Sequence, residues 1–349
     1  MQYTTIDWAE YTLNLITGCE GGCPYCYARN LANVQSGDIR KTLSTPHIFK
    51  VWGNGCYELD APIRDENGRV IEYPFAFAPT LHRYKADGYR PVRESRRVLV
   101  NAISDGFGPW IPDEWIRFVF DTCMDTPQHY YMFLTRYPER YREVILPKGR
   151  HYWYGTTITC NADLERMNHL PDERHKFLCL EPILENLFIC PEDLIGIDWI
   201  TIGAQTGRTK KKIVPQKEWI LNIASLASQL GIPVYMRDNL TDVMGEENLI
   251  QEYPMQLTLK GMGRKQSWST TDRCGGCGKK LKKRTMVTLQ ARAGTSYREK
   301  SYKTVRIAAM CRSCYELWCA ENSFDTHIDE LFPNKEFRDG KEKKLQKNG

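Results

Sequence analysis

The 349-residue chain contains no apolar run approaching the roughly 18 residues of a membrane span, which argues against a transmembrane helix. Its start, MQYTTIDWAE, lacks the basic-then-apolar pattern of a secretory signal, so the sequence predicts a cytoplasmic protein with no membrane partner. No internal repeat is present, which sets aside solenoid architectures. With 42% hydrophobic and 26% charged residues, 25 Gly and 18 Pro, the composition also excludes disordered, collagenous and coiled-coil chains.

Cysteine, by contrast, is plentiful. Thirteen are many for a reducing compartment, where clustered thiols bind metal or do chemistry more often than they form structural disulfides. Seven fall in three tight groups: Cys19, Cys23 and Cys26; Cys274 and Cys277; Cys311 and Cys314. The other six, Cys56, Cys123, Cys160, Cys179, Cys190 and Cys319, are expected to be buried small hydrophobes. Charge is equally uneven. The net +5 divides into −6 over residues 1–259 (27 Lys and Arg against 33 Asp and Glu), +13 over 260–315 (15 against 2) and −2 over 316–349 (6 against 8).

Between Leu13 and Met236, short β-type runs alternate with amphipathic or polar stretches, which predicts βα units around a parallel sheet. Strands are expected at 12–17, 97–103, 130–135, 153–158, 176–181, 199–203 and 233–237, with helices between most of them. The clearest helices are Asp113 to Met124, with an acidic first turn after Pro112, and Gln216 to Leu230, which is amphipathic and ends at Gly231. The expected fold is α/β, a partial or complete TIM-like (β/α) barrel with its working face at the C-terminal strand ends. Residues 35–96 break the rhythm and read as an inserted β-hairpin region, with Asp65-Glu66-Asn67-Gly68 as a turn. The predicted organisation is a barrel over 1–259 that includes this insertion, a basic Cys-bearing domain over 260–320 and a charged tail over 321–349.

The most informative stretch is Gly18-Cys19-Glu20-Gly21-Gly22-Cys23-Pro24-Tyr25-Cys26-Tyr27, which places three thiols directly after the first strand and before a helix. A structural zinc or a simple electron-transfer cluster wants four protein ligands. Three close cysteines instead suit three irons of a [4Fe-4S] cube whose fourth iron stays open for a ligand. Gly21 and Gly22 let the backbone wrap closely around such a group. A structural zinc knuckle, or chance spacing in a Cys-rich chain, is the plainer alternative.

The C-x3-C-x2-C spacing, with an aromatic residue before the third cysteine, resembles the signature of the radical S-adenosylmethionine (SAM) superfamily. That resemblance implies a radical-SAM barrel in which Cys19, Cys23 and Cys26 are the catalytic cluster ligands. It also implies that SAM is chelated by the open iron and cleaved reductively to a radical that abstracts hydrogen from a substrate, and that an external electron donor serves the cluster. A closer resemblance runs over most of the first 240 residues. It rests on Ile6-Asp7-Trp8, Thr17-Gly18-Cys19, Cys26-Tyr27-Ala28, Pro79-Thr80-Leu81-His82, Val100-Asn101, Ser104-Asp105, Leu134-Thr135-Arg136, Pro138-Glu139-Arg140, Glu181-Pro182 and Asp198-Trp199 with Gly203. These segments are similar to a phage- and prophage-associated radical-SAM family of unassigned reaction, some of whose members are linked to three-Cys-motif partner proteins. The sequence departs from that family in its insertion, in its basic C-terminus, and in Gly203-Ala204-Gln205-Thr206-Gly207 at the sixth strand.

Polar residues at the strand ends are the candidate SAM and substrate ligands. Asn101, Ser104 and Asp105 follow the second strand, where the superfamily resemblance implies the methionyl amine. Thr135 and Arg136 follow the third; Arg136 suits a bidentate carboxylate clamp, or equally a solvated loop position. Thr157, with Thr159, ends the fourth strand, where a ribose would fit. Glu181 ends an apolar strand and needs a partner, either a ligand or a buried ion pair; Gln205 and Thr206 are weaker candidates. Arg237 and Asp238 suit a salt bridge between barrel elements. Tyr25, Tyr27 and Trp8 are expected to pack around the cluster. Cys160 and Cys179 are either core residues or thiol hydrogen donors.

Cys274, Cys277, Cys311 and Cys314 form two C-x2-C pairs separated by 33 residues and resemble a zinc ribbon holding Zn2+; an auxiliary [4Fe-4S] cluster is the alternative. The β-type runs at 286–289 and 304–308 suit the ribbon's strands. Lys279, Lys280, Lys282, Lys283 and Arg284, with Trp268, Tyr297 and Tyr302 nearby, make a plausible phosphate-backbone clamp, against the alternative of an ordinary solvated surface. The leading expectation is a radical SAM enzyme that modifies or repairs nucleic acid. The others are a radical SAM enzyme acting on a protein, peptide or small molecule with the ribbon docking a partner protein, and a non-catalytic metal-stabilised nucleic-acid-binding protein.

Overall fold

The computed structural model describes residues 2–35, 49–89, 95–207, 212–258, 287–294 and 302–310. The chain divides into two compact units, Met1–Leu249 and Ile250–Gly349. The strands of the first unit are β1 (Gln2–Tyr3), β2 (Tyr11–Leu13), β3 (Ile16–Thr17), β4 (Lys50–Trp52), β5 (Cys56–Leu59), β6 (Thr80–His82), β7 (Arg97–Val100), β8 (Tyr130–Thr135), β9 (Tyr152–Thr157), β10 (His175–Leu180), β11 (Trp199–Ile202) and β12 (Val234–Met236). Its helices are α1 (Tyr27–Gln35), α2 (Asp113–Met124), α3 (Lys217–Gln229) and α4 (Thr241–Met244).

Seven parallel strands, in the order β2-β7-β8-β9-β10-β11-β12, make a half-barrel sheet, with β1 added antiparallel at the β2 edge. Both faces are covered, so strands such as YYMFLT and HKFLCL read as nearly continuous apolar runs. On one face α2 packs through Phe120 against Phe133, with ring centroids 5.2 Å apart, and Phe107 joins them. By register the opposite face carries Phe177 and Trp199, onto which Trp8 packs edge-on at 6.2 and 5.7 Å. Trp8 therefore belongs to the core of the sheet and not, as expected, to the surroundings of the cysteine loop.

The first strand is not the continuous 12–17 run expected. It stops at Leu13 because Asn101, at φ +56°, meets the chain there: its N–H donates to the Leu13 carbonyl (2.8 Å) and its Oδ1 accepts from the Ile16 N–H (3.0 Å). The chain then turns into β3, which pairs antiparallel with β6. Helices are also scarcer than expected. The crossovers from β8 to β9, β9 to β10 and β10 to β11 carry only 3-10 turns, at Pro138–Arg142, Asn161–His169 and Pro191–Leu194. Prolines open two of these, and Asn161–His169 has only Ala162, Leu164 and Met167 to bury.

The insertion forms a second sheet, in the order β3-β6-β5-β4. The 65–68 turn forms as expected: Asp65 Oδ1 accepts from the N–H groups of Asn67 (2.9 Å) and Arg69 (2.8 Å), and Gly68 has φ +77°. Glu58 ties this sheet to α2. Its Oε2 accepts from Trp52 Nε1 (2.6 Å) and Trp115 Nε1 (3.2 Å), and its Oε1 pairs with Arg83. The two edges of the half-barrel are joined not by a ladder but by the segment before β2. Tyr235 donates to the Asp7 carbonyl (3.2 Å), Arg237 Nε to Asp7 Oδ1 (2.6 Å) and the Asp238 N–H to Asp7 Oδ2 (2.7 Å).

Among the scattered cysteines, Cys56, Cys123 and Cys179 are buried as expected, whereas Cys160 is half-buried and Cys190 exposed. Both exceptions immediately precede 3-10 turns. Cys319 lies outside the described residues. The second unit contains α5 (Met255–Thr258) and an antiparallel ribbon of β13 (Val287–Gly294) and β14 (Tyr302–Met310), over the two β-type runs. Among the described residues no helix is long and apolar enough to cross a membrane.

Burial alone would raise the Glu58 carboxyl, but Arg83, Trp52 and Trp115 outweigh it and hold the group below its ordinary value of 4.5. A depressed carboxylate contributes stability that is present above the unfolded value and lost as pH falls through the folded one. The wild type should therefore be more stable than Glu58→Gln at neutral pH, and the gap should narrow progressively below pH 4.5 in urea denaturation. A gap independent of pH would show that the carboxylate charge is not what matters.

Candidate functional site

The three-cysteine loop starts where β3 ends, and its root is held from two sides. Gly18 has φ +78°, and a Cβ there would lie 2.3 Å from the Ala78 carbonyl oxygen, so only glycine fits. The Gly18 N–H donates to the Ile103 carbonyl (3.3 Å), Ser104 Oγ donates to the Gly18 carbonyl (2.6 Å), and the Cys19 N–H donates to the Phe77 carbonyl (3.0 Å). Arg29, on the first turn of α1, closes the loop from within. Its Nη2 donates to the Cys19 and Gly21 carbonyls, both at 2.9 Å, and its guanidinium lies 4.6 Å over the Phe77 ring.

Cys19, Cys23 and Cys26 are half-buried free thiols. Each sulfur accepts one N–H: Cys19 from Gly21 (3.2 Å), Cys26 from Arg29 (3.3 Å), and Cys23 from Arg136 Nη1 (2.7 Å). Burial, and then the charge of Asp105, pushes the Cys19 thiol up to about 12, so a metal would have to displace its proton. Among the described residues no three His, Cys, Asp or Glu groups converge on a single ion. In a four-iron cube each cysteine binds a different iron, so such convergence is not needed. Three sulfurs on one loop, each with an N–H donor, fit three corners of a cube better than one ion.

Asp105, just past β7, is buried and accepts from Thr135 Oγ1 (2.6 Å), the Arg136 N–H (2.9 Å) and the Phe107 N–H (3.2 Å). Burial raises its carboxyl against the pull of these donors. Beyond β9, Asp163 Oδ2 accepts from the N–H (2.9 Å) and Oγ1 (2.7 Å) of Thr159, and Oδ1 faces Arg166 (2.7 Å) and Arg136 (3.8 Å). Burial raises that carboxyl too, but the Thr159 bonds and the two arginines outweigh it and hold it low. Arg136 thus stands between Asp163 on one side and Cys23 and Tyr25 on the other, donating to the Tyr25 hydroxyl at 2.7 Å. A cleft of about 170 Å³ opens here, lined by Gly22, Cys23, Pro24, Arg136, Tyr137 and Arg166.

The structure thus brings Ser104, Asp105, Thr135 and Arg136 into one network with the cysteine loop, and Asn101 sets the chain turn behind it. Thr157 is half-buried, and its carbonyl accepts from Arg166 (2.9 Å). Glu181 forms the ion pair, with Arg237, in a half-buried position, and Asn239 Nδ2 lies 3.4 Å away; burial raises its carboxyl while Arg237 lowers it. A Cβ on Gly203 would meet Glu181 Cδ at 2.8 Å. Gln205 Oε1 accepts from the Ile213 N–H (3.2 Å). Tyr27 is exposed, and its hydroxyl donates to the Ala102 carbonyl (2.9 Å). Sequence reasoning missed Arg29, Asp163 and Arg166. Arg29 follows Cys26 by three residues and Asp163 follows Thr159 by four, spacings that put each within reach of a helical turn's start. Cys274, Cys277, Cys311, Cys314 and the basic run Lys279, Lys280, Lys282, Lys283 and Arg284 lie outside the described residues.

Residues 3–274 match a family model described as "Protein of unknown function (DUF5131)". No curated protein matches the chain. Among solved structures it is similar to a point variant of spore photoproduct lyase, with 13% identity, 67% of this chain and 78% of that one covered, and a TM-score of 0.39. It is also similar to spore photoproduct lyase complexed with dinucleoside spore photoproduct, with 12% identity, 95% and 76% coverage, and a TM-score of 0.36. At that distance neither similarity assigns a residue or an activity to this chain.

Gly18→Ala should cost about 1–3 kcal/mol from backbone strain alone, before the clash with Ala78 is counted. Urea denaturation measures it, and wild-type stability in the variant would mean that the loop root is not held as described.

Proposed function

This chain belongs to the DUF5131 family, and we propose that it is a radical SAM enzyme acting on nucleic acid. The observation that carries the reading is the cysteine loop: three free thiols, each with an N–H on its sulfur, rooted at the C-terminal end of a parallel half-barrel. A [4Fe-4S] cluster held by Cys19, Cys23 and Cys26 with SAM bound supplies reductive cleavage of the sulfonium and hydrogen abstraction from a substrate, given an external electron donor. The chain's own residues divide the remaining work. Asn101, Ser104, Asp105 and Thr135 hold the loop and the strand ends in place. Thr157 and Gln205, at the ends of β9 and β11, are the groups we assign to SAM, while Glu181, at the end of β10, is held by Arg237. Thr157 shares a face of the sheet with Cys179 and hence with Glu181, by register and alternation.

The nucleic-acid substrate rests on charge: residues 260–315 carry +13. Four thiolates and one zinc ion on Cys274, Cys277, Cys311 and Cys314 would remove only two of those charges. Lys279, Lys280, Lys282, Lys283 and Arg284 then serve as phosphate contacts.

Anaerobic reconstitution with iron and sulfide should load the wild type with a cluster that, once reduced, converts SAM to 5′-deoxyadenosine. Cys19→Ala, Cys23→Ala and Cys26→Ala should each lose both iron and turnover. A wild type that takes up no iron, or that never yields 5′-deoxyadenosine, sinks the catalytic reading.

The substrate class is tested by salt. The logarithm of the affinity for DNA or RNA should fall linearly with log salt, with a slope of about −0.9 per phosphate contact on duplex DNA. Replacing Lys279, Lys280, Lys282 and Lys283 together by Ala should flatten that slope. A slope unchanged by the substitutions would point to a protein or small-molecule substrate.

A further inference from the structure

We propose that Arg136 is a positioning residue for the iron–sulfur cluster, fixing the Cys23 sulfur and raising the cluster's reduction potential. This rests on the radical SAM reading above and adds to it a role that an arginine at a strand end does not itself announce.

The three sulfurs are not equivalent. Those of Cys19 and Cys26 take neutral backbone N–H groups from within the loop and its helix, from Gly21 and Arg29. Cys23 takes its hydrogen bond from a guanidinium 113 residues further along the chain. A cationic donor on a ligating sulfur withdraws more electron density than a neutral one and favours the more negatively charged, reduced state. Outer hydrogen bonds of this kind also fix the orientation of the ligand that receives them.

Arg136 is held as a positioning group should be. Its N–H is bound to Asp105 Oδ2 (2.9 Å), itself buried, which sets where the side chain leaves β8. Its Nη1 is shared between Cys23 Sγ and the Tyr25 hydroxyl, each at 2.7 Å. Its Nη2 faces Asp163, which two Thr159 bonds and Arg166 hold still. The side chain is 26% exposed, so the charge is partly withdrawn from solvent and screened less than a surface arginine would be.

Two variants test this in the full chain. Arg136→Met keeps much of the side-chain bulk and leaves the backbone bond to Asp105 intact, but removes charge and donor; Arg136→Lys keeps the charge without the planar fork. The readouts are the midpoint potential of the reconstituted cluster, by EPR-monitored redox titration, and the dissociation constant of SAM. The expected result is a clear shift to lower potential in Arg136→Met, partly restored in Arg136→Lys. A cluster at wild-type potential in Arg136→Met, with weakened SAM binding, overturns the proposal and makes Arg136 a ligand-carboxylate clamp. If Arg136→Met fails to fold or to keep its iron, Arg136→Lys decides: a potential below the wild type supports the proposal and an unchanged one overturns it. Failure of the wild type to form any cluster is a separate result, against the radical SAM reading itself.

Discussion

Asp105 is 8% exposed where β7 gives way to its loop, so its charge has to be met inside the protein. Thr135 Oγ1 and the Arg136 N–H meet it from β8, and the Phe107 N–H from its own loop. Those bonds do two things at once. They send the Phe107 ring into the packing between α2 and β8, and they fix the direction in which Arg136 leaves its strand. The same strand end is tied onward to β9, since Thr156 Oγ1 donates to the Thr135 carbonyl (2.9 Å). The core on one side of the sheet and the polar network at its end thus share one buried carboxylate.

The insertion has a comparable double role. It interrupts the alternation of strand and helix, yet it supplies the Phe77 carbonyl and Ala78 backbone against which the cysteine loop turns. It also fixes the strand that leads into that loop. His82 donates its N–H to the Leu15 carbonyl (2.8 Å), and its Nε2 lies 2.8 Å from Thr17 Oγ1. Burial, and then Lys85, keeps that imidazole neutral, so it serves as a hydrogen-bonding strut and not as a charge.

The seven parallel strands were legible because strands buried on both faces are written as unbroken apolar and aromatic runs, as in β8 and β10. The α2 and α3 helices were legible for the complementary reason, a clean apolar stripe. The crossovers between β8 and β11 were not, since Pro138 and Pro191 shorten what hydrophobic spacing alone extends. Nor was the break at Leu13: its cause, Asn101, lies 85 residues from Ile16 and acts through a side-chain bond that no local pattern records. At the site, the thiol spacing and the strand-end position of Arg136 were visible. The partner of Arg136 was not, because Tyr25, Cys23 and Asp163 meet it only through tertiary folding. Asp163 and Arg166 sit in a polar stretch that offers no contrast with its surroundings.

The bond from Asp7 to Arg237 spans 230 residues and joins the two ends of the half-barrel. Such a contact carries one of the largest loop-closure costs in the chain, and high sequence separation slows folding. During synthesis the segment ahead of β2 emerges first and must wait for the last parallel strand, more than two hundred residues later. Until β10 and β11 have emerged, Trp8, which follows Asp7 directly, has neither Phe177 nor Trp199 to rest on, and its indole is exposed apolar surface on an unfinished sheet. The first unit is therefore a fold closed last at its two ends, and the nascent chain is most vulnerable to misassociation in the interval before β10 and β11 arrive.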